Sequence, residues 1–337
     1  MNNIAKSQPT SVNVHVDRPL TNVSVAYIQD MKDFVADRVF KPIKTDKASN
    51  LYYIYKREYF FQGGSELQVS EGTPTLSSGF GLETDSYICH VYGSSQYISD
   101  EARANSDEGI NLDHTATIAV TNRLMITKEK IWADIAFKAD AWANSKTGAL
   151  TNSKTQFVYW SEDNSDPIID IRSARKAVKR RTGLAPNIAV ITEDVYERLT
   201  QHPKVIDRFK YTTNQVVTEA MLAKLFDLDE IIVAGAVALN DDIPEGKATD
   251  SDYDWIMKNG CLLLYVPKTV SIMQAAAGYG FYWTNLQGVG SSENGIAIKR
   301  YRREYMRSDV IEGLMAFTYK IVCKDLGYFM GNCLASS

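Results

Sequence analysis

Residues 250 to 254, "DSDYD", set three carboxylates at alternate positions, the opening spacing of a calcium-binding loop. Such a loop next needs a glycine for its turn and a bidentate glutamate to close the shell. Trp255 and Cys261 stand there instead, so an acidic solvated loop is expected and no metal site. Gly246-Lys247 fails as a phosphate-binding loop, because Ala248 follows it and Asp241 stands where the first glycine belongs. "GFGLET" and "GVGSSE" begin like dinucleotide fingerprints, but Thr84 and Glu293 replace the last glycine. The four histidines, His15, His90, His114 and His202, lie in no recognised catalytic spacing with a serine, cysteine or acid. Cys89, Cys261, Cys323 and Cys333 are scattered, without the short spacing of a zinc or redox motif. Reduced thiols, no cofactor and no enzyme are the expectation.

Two basic runs could bind an anion. Arg172, Lys176, Lys179 and Arg180 recur at helical spacing, joined by Arg175, and a second run holds Lys299, Arg300, Arg302, Arg303 and Arg307. A solvated face with weak ion pairs is the plain reading. The functional one is contact with an acidic partner, either DNA or the acidic stretch "LNDDIPEGKATDSDYD" of another subunit. The net charge of -4 favours the subunit and argues against extensive sequence-specific nucleic-acid binding.

The elements that must carry these residues follow from length and pattern. The chain has 337 residues, 45% of them hydrophobic, which suggests two or three domains with a sizeable core. No apolar run is long enough to span a membrane, and the N-terminus lacks a signal-peptide core. Residues 1–22 read as an extended arm, and residues 23–40 as a helix ended by Lys41-Pro42.

The stretch 52–61, "YYIYKREYFF", reads as a strand with Tyr53, Tyr55, Tyr59 and Phe61 on one face, and Tyr52, Ile54 and Phe60 on the other. "SYICHVYGSSQYI" is its return, so a long two-sided hairpin is expected around a glycine-rich tip holding Gly63, Gly64 and Gly72. Residues 112–144 predict a long helix with Val120, Leu124, Ile131, Ile135, Ala139 and Trp142 on one stripe, Asp113 as its cap and a bend at Thr127. From about 156 to 285, helices alternate with short apolar strands, an α/β layer. One of these helices opens at Asp166-Pro167 and stops at Gly183. The final stretch reads as antiparallel strands.

This order of elements resembles the tailed-bacteriophage major capsid proteins of the Hong Kong 97 type. The stretch "WSEDNSDPIIDIRSARKAVKRRTGLAPNIAVITEDVYERLTQHPKVIDRFKY" is similar to one branch of that family. The resemblance implies an α+β fold with residues 1–49 as arm and first helix, 50–100 as an extended loop, and 101–155 as a peripheral domain with a spine helix. Residues 156–285 would form an axial domain, and 286–337 the strands completing the peripheral domain. It implies a virion subunit, assembled in the host cytoplasm into pentamers and hexamers of an icosahedral shell around double-stranded DNA. A portal, a separate scaffolding protein (because the arm is short) and non-specific contact with the packaged double-stranded DNA are further expected; no membrane is. A nanocompartment shell of the same fold is the alternative, and an α/β enzyme with a non-local site a more distant one. No cross-linking pair carries over, since Lys56 matches no recognised motif. Expected subunit contacts are Tyr53, Tyr55, Tyr59, Phe60 and Phe61, the tip glycines, and Arg172, Lys176, Lys179 and Arg180. A hairpin apolar on both faces needs cover from a neighbour, and the glycines let its tip fit differing neighbours.

Overall fold

The computed structural model describes residues 29–335 except 65–66, 70–74, 76–80, 107–110, 210–216, 241–242, 244–246, 271–273 and 287–294. In chain order the described part opens with α1 (Ala36–Val39), β1 (Pro42–Thr45), β2 (Ser49–Tyr55) and the helical turn α2 (Glu58–Phe61). Next come β3 (Leu82–Ile88), β4 (His90–Ser99), α3 (Asp100–Ala104), the long helix α4 (Leu112–Ala136), β5 (Ser145–Ala149) and β6 (Gln156–Val158). The α/β region follows with α5 (Pro167–Thr182), β7 (Ile188–Thr192), α6 (Glu193–Gln201), α7 (Pro203–Phe209), α8 (Glu219–Phe226), β8 (Glu230–Ala234) and β9 (Val237–Leu239). The chain closes with β10 (Tyr253–Trp255), β11 (Gly260–Leu264), β12 (Gly278–Trp283), β13 (Ile296–Arg303), β14 (Ser308–Ile321) and β15 (Gly327–Gly331).

Two large sheets organise these elements. In the first, β14 is the trunk: β4 pairs along one edge, β13 and β12 share the other, and β1 adds in parallel to β12. The second has the order β6-β5-β15-β11-β7-β8 and mixes parallel and antiparallel pairs. Strands β7 and β11 are buried throughout, as central strands covered on both faces must be. Their alternation splits the interior. Ala189, Ile191, Cys261 and Leu263 face the helices α5 to α8, while Ile188, Val190, Leu262 and Leu264 face the core that includes α4 and the first sheet.

The caps explain where the two main helices lie. Asp166 accepts the Ile169 N–H at 3.0 Å at the start of α5, Pro167 takes the first turn, and Gly183 stops the helix at φ 73°. Helix α4 is capped by Asn111, which accepts the His114 N–H at 3.0 Å, and not by Asp113, which is held by Arg103. It ends at Ala136, short of the expected 144, so Trp142 packs from a separate loop with its indole N–H on the Ala136 carbonyl.

Several other expectations are corrected. The helix read over 23–40 is only the turn α1 in its described part, after a 3-10 turn at Met31–Asp33; Val25 and Ile28 lie outside the described residues. The aromatic run is not one strand. It leaves β-geometry after Tyr55, and Tyr59, Phe60 and Phe61 sit in α2. Its return divides at Cys89: β3 pairs with β2, whereas β4 departs to β14. Strand β12, inside 156–285, belongs to the first sheet, while β5 and the C-terminal β15 belong to the second. Strand pairing ignores sequence proximity, which a linear reading cannot anticipate.

Candidate assembly surfaces

Among the described residues, strands β2 and β3 pair only with each other, forming a two-stranded sheet separate from the two large ones. Its inner face is anchored. Tyr87 stacks on Phe281 of β12 with centroids 4.3 Å apart, Tyr52 packs 5.6 Å from the same ring, and the Tyr52 hydroxyl donates to Asp85 at 2.6 Å. Alternation turns Leu51, Tyr53 and Tyr55 of β2 to the other face, beside Leu82 and Ile88 of β3. That face is bare: Leu51 is 63% exposed and Tyr53 67%.

The root of the tip folds back on its own chain. Arg57 donates to the Arg181 carbonyl at 2.9 Å and to Asp325 at 3.1 Å, and Lys56 pairs with Glu83 at 2.9 Å. Phe61 rests where a Cβ on Gly183 would approach its ring to 3.0 Å, yet most of Phe61 stays exposed, as does Phe60. Gly63 has open space around its missing side chain, and Gly72 lies outside the described residues. The expected contact residues thus separate into Tyr53 and Tyr55 on the strand face, Tyr59 to Phe61 on the turn, and the glycines beyond.

The two basic runs part company. On β13, an edge strand, Arg300 meets Asp309 at 2.9 Å and Asp113 at 3.2 Å. Arg302 grips Asp100 through both terminal nitrogens, at 2.8 and 2.7 Å. Arg103 joins Asp113 and Asp309 at 2.8 and 2.9 Å, and Arg303 lies 5.3 and 5.5 Å from the Tyr97 and Tyr301 rings. This run ties the start of α4 to the first sheet, and charged residues suit an exposed sheet edge.

On α5, by contrast, Arg172, Arg175, Lys176 and Lys179 converge with Lys224 and Asp227 around a cleft of about 480 Å³. Arg172 donates to the Leu225 carbonyl at 2.9 Å, and Arg175 pairs with Asp227. Lys176, Lys179 and Lys224 have no ion-pair partner among the described residues. Arg180 is exposed on the same helix outside the cleft lining. Lys224, which sequence spacing on α5 had no means to include, is brought there by helix packing.

The acidic loop does ordinary work. Asp252 accepts the Thr249 N–H at 2.7 Å in a capping box, and Asp254 pairs with Lys258. A serine–histidine pair that the sequence did not reveal lies elsewhere, with Ser165 Oγ 3.0 Å from His202 Nε2 and both residues buried. Nδ1 of His202 accepts the Lys204 N–H at 3.3 Å, so Nε2 carries the proton and donates to the serine. Ser165 in turn donates to the Glu162 carbonyl at 2.7 Å. The imidazole therefore offers this serine no base. Burial lowers the His202 pKa, which keeps the ring neutral.

Residues 153–274, spanning β6 to β11, match the family model of phage major capsid protein E. Over 325 residues the chain is 22% identical to the major capsid protein of Burkholderia phage BcepMu, covering 94% of this chain and 96% of that protein. Both likenesses are to phage major capsid proteins. The fold of the chain is shared with a phage-related protein from Bordetella bronchiseptica RB50, at a TM-score of 0.68 and 20% identity over 96% of this chain and 99% of that one. It is shared also with the capsid of cyanophage P-SCSP1u, at a TM-score of 0.58 and 12% identity over 94% and 91% of the two chains.

Proposed function

We propose that this capsid protein is of the Hong Kong 97 type and builds pentamers and hexamers of an icosahedral shell around double-stranded DNA. A portal, a separate scaffolding protein and assembly in the host cytoplasm belong to the same reading. The observation that carries it is the bare face of the β2–β3 ribbon. A two-stranded ribbon is marginal in water, and one that exposes Leu51, Tyr53, Tyr55, Leu82 and Ile88 together needs cover. A second copy of the chain supplies it: the ribbon of each subunit lies over the body of the next, a heterologous contact that closes rings when the rotation is right. Tyr59, Phe60 and Phe61 extend the same contact at the tip, and Gly63, Gly64 and Gly72 leave that tip room to adapt. The α5 to α8 layer would meet at the ring centres, and α4 with the first sheet would form the periphery.

The test is assembly of the purified chain, alone or with a scaffold, followed by light scattering and electron microscopy. Closed shells are expected, and replacement of Leu51 and Tyr53 by serine should abolish them. A wild-type chain that remains monomeric under every such condition refutes the reading. Shells that form but hold a protein cargo and no DNA would convert it to a nanocompartment.

A further inference from the structure

We infer that the cleft between α5 and α8 grips the phosphate backbone of double-stranded DNA, and that this face of the subunit therefore looks toward the genome. The inference rests on the reading of the chain as a DNA-enclosing capsid subunit, and it names the residues that would touch the DNA. Five cationic side chains and one carboxylate line the cleft. Two of the cations are structural: Arg172 satisfies the Leu225 carbonyl in the last turn of α8, and Arg175 pairs with Asp227. Lys176 and Lys179 on α5 and Lys224 on α8 remain, all exposed.

Cations in the last turn of a helix complement its dipole, and Lys179 and Lys224 gain from that. The dipole does not explain why two helices aim their lysines into one cleft, where like charges repel. The contrast with β13 is decisive. There, in the same acidic protein, Arg300 and Arg302 are matched by Asp100, Asp113 and Asp309; here the matching anions are missing among the described residues.

An acidic segment of a neighbouring subunit is the competing occupant. Among the described residues, the cleft lining holds no apolar or aromatic side chain of the kind that anchors a protein partner. In the acidic stretch of the chain, Asp252 and Asp254 are already bonded within their own loop. Lysines are flexible point charges, suited to a repeating phosphate array read without sequence. From Arg172 to Lys179 the basic face covers about 10 Å of helix, the length of two or three phosphates of one strand.

The experiment uses the full-length chain as unassembled subunits or capsomers and a labelled DNA duplex, with binding read by fluorescence anisotropy across a salt series. Each phosphate contact contributes about 0.9 to the slope of log affinity against log salt. The triple variant Lys176→Gln, Lys179→Gln, Lys224→Gln should lower that slope by roughly 2 to 3 and weaken binding at low salt by at least about tenfold. A control variant, Arg300→Gln with Arg302→Gln, removes two cations that are already paired, and should leave the slope unchanged. The proposal is overturned if the wild type does not bind the duplex, if the triple variant keeps the full slope, or if the control loses as much. A triple variant that keeps the slope but no longer forms shells would assign the cleft to the neighbouring subunit. Wild-type protein that never forms shells would defeat the capsid assembly reading, while a loss of slope in the triple variant would still establish the anion site.

Discussion

The carboxylate of Glu129, buried midway along α4, accepts the backbone N–H of Val35 at 3.0 Å across 94 positions of the chain. Its second oxygen takes the Ala36 N–H, also at 3.0 Å. These are N-terminal donors of α1, which has no side-chain cap of its own, so the long helix caps the short one. The neighbouring Lys128 reaches Asp37 at 2.9 Å, and the Tyr282 and Tyr319 hydroxyls donate to the other oxygen of the same carboxylate. Phe40 then meets Trp132 edge-on at 5.7 Å. The segment from Val35 to Phe40 is thereby fixed to α4 and to the first sheet.

This arrangement makes stability depend on pH. Burial pushes the Glu129 carboxyl up to about 7 from its ordinary 4.5, with Asp37 adding to the rise against the two N–H donors and Lys128. Between these values the folded protein holds a proton that the unfolded chain releases, so stability falls as pH rises from about 5 to 7 and is fully present below 4.5. Glu129→Gln keeps an acceptor and cannot ionise. Its melting temperature should therefore lose much of the decline that the wild type shows over this interval. An unaltered profile would mean that Glu129 is ionised throughout.

Asp37 and Arg302 predict unequal losses. Asp37→Ala removes the carboxylate from a lysine that is almost wholly buried and from two buried tyrosine hydroxyls. Breaking such a pair costs about 3 kcal/mol. Arg302→Gln breaks a water-exposed pair with Asp100, where solvent and salt already screen the charges, and should barely move the melting temperature. Denaturant melts of the two variants check the order; equal losses would show that the Asp37 network is solvated.

The thiols should be inert in the folded protein. Burial pushes the Cys261 thiol up to about 12 and raises the Cys333 thiol well above its ordinary range. Only the thiolate reacts, so iodoacetamide at pH 8 should modify neither residue until the protein unfolds. Mass spectrometry of native and denatured samples reads this directly, and fast native labelling would place those strands nearer the surface than the structure does.

Local signals in the sequence were legible wherever a single element decided them. Asp166-Pro167 and Gly183 bounded α5, and the apolar runs around Ile188, Ile231 and Leu262 became buried strands. The aromatic run was misread because period-2 alternation continues on paper through Lys56 and Arg57, while the chain turns there to put Arg57 on Asp325. The lysine cleft was half legible: α5 declared its basic face, but Lys224 arrives from a helix 45 to 48 positions later than Lys179 and Lys176. Nothing in the spacing foretold the Glu129 cap, since its partners are backbone groups brought together by packing.

The β2–β3 ribbon offers the sharpest test. Removing residues 62–80 and joining Phe61 to Gly81 through a short glycine turn spares β2, α2 and β3, and leaves both large sheets and their cores untouched. Circular dichroism and the melting temperature should therefore stay close to wild type. Assembly should be lost or crippled, because the tip is the part that would reach over the next subunit. Replacing Leu51 and Tyr53 with serine acts on the same contact without shortening the chain. Each large side chain covered by a neighbour contributes roughly 1.5 to 3 kcal/mol, and a shell repeats the contact in every subunit, so a modest loss at one site multiplies across the particle. Negative-stain microscopy of both variants decides the matter. Closed shells of normal size and stability from the shortened chain, together with normal shells from the serine variant, would show that the ribbon is no intersubunit clamp and that its bare face serves another purpose.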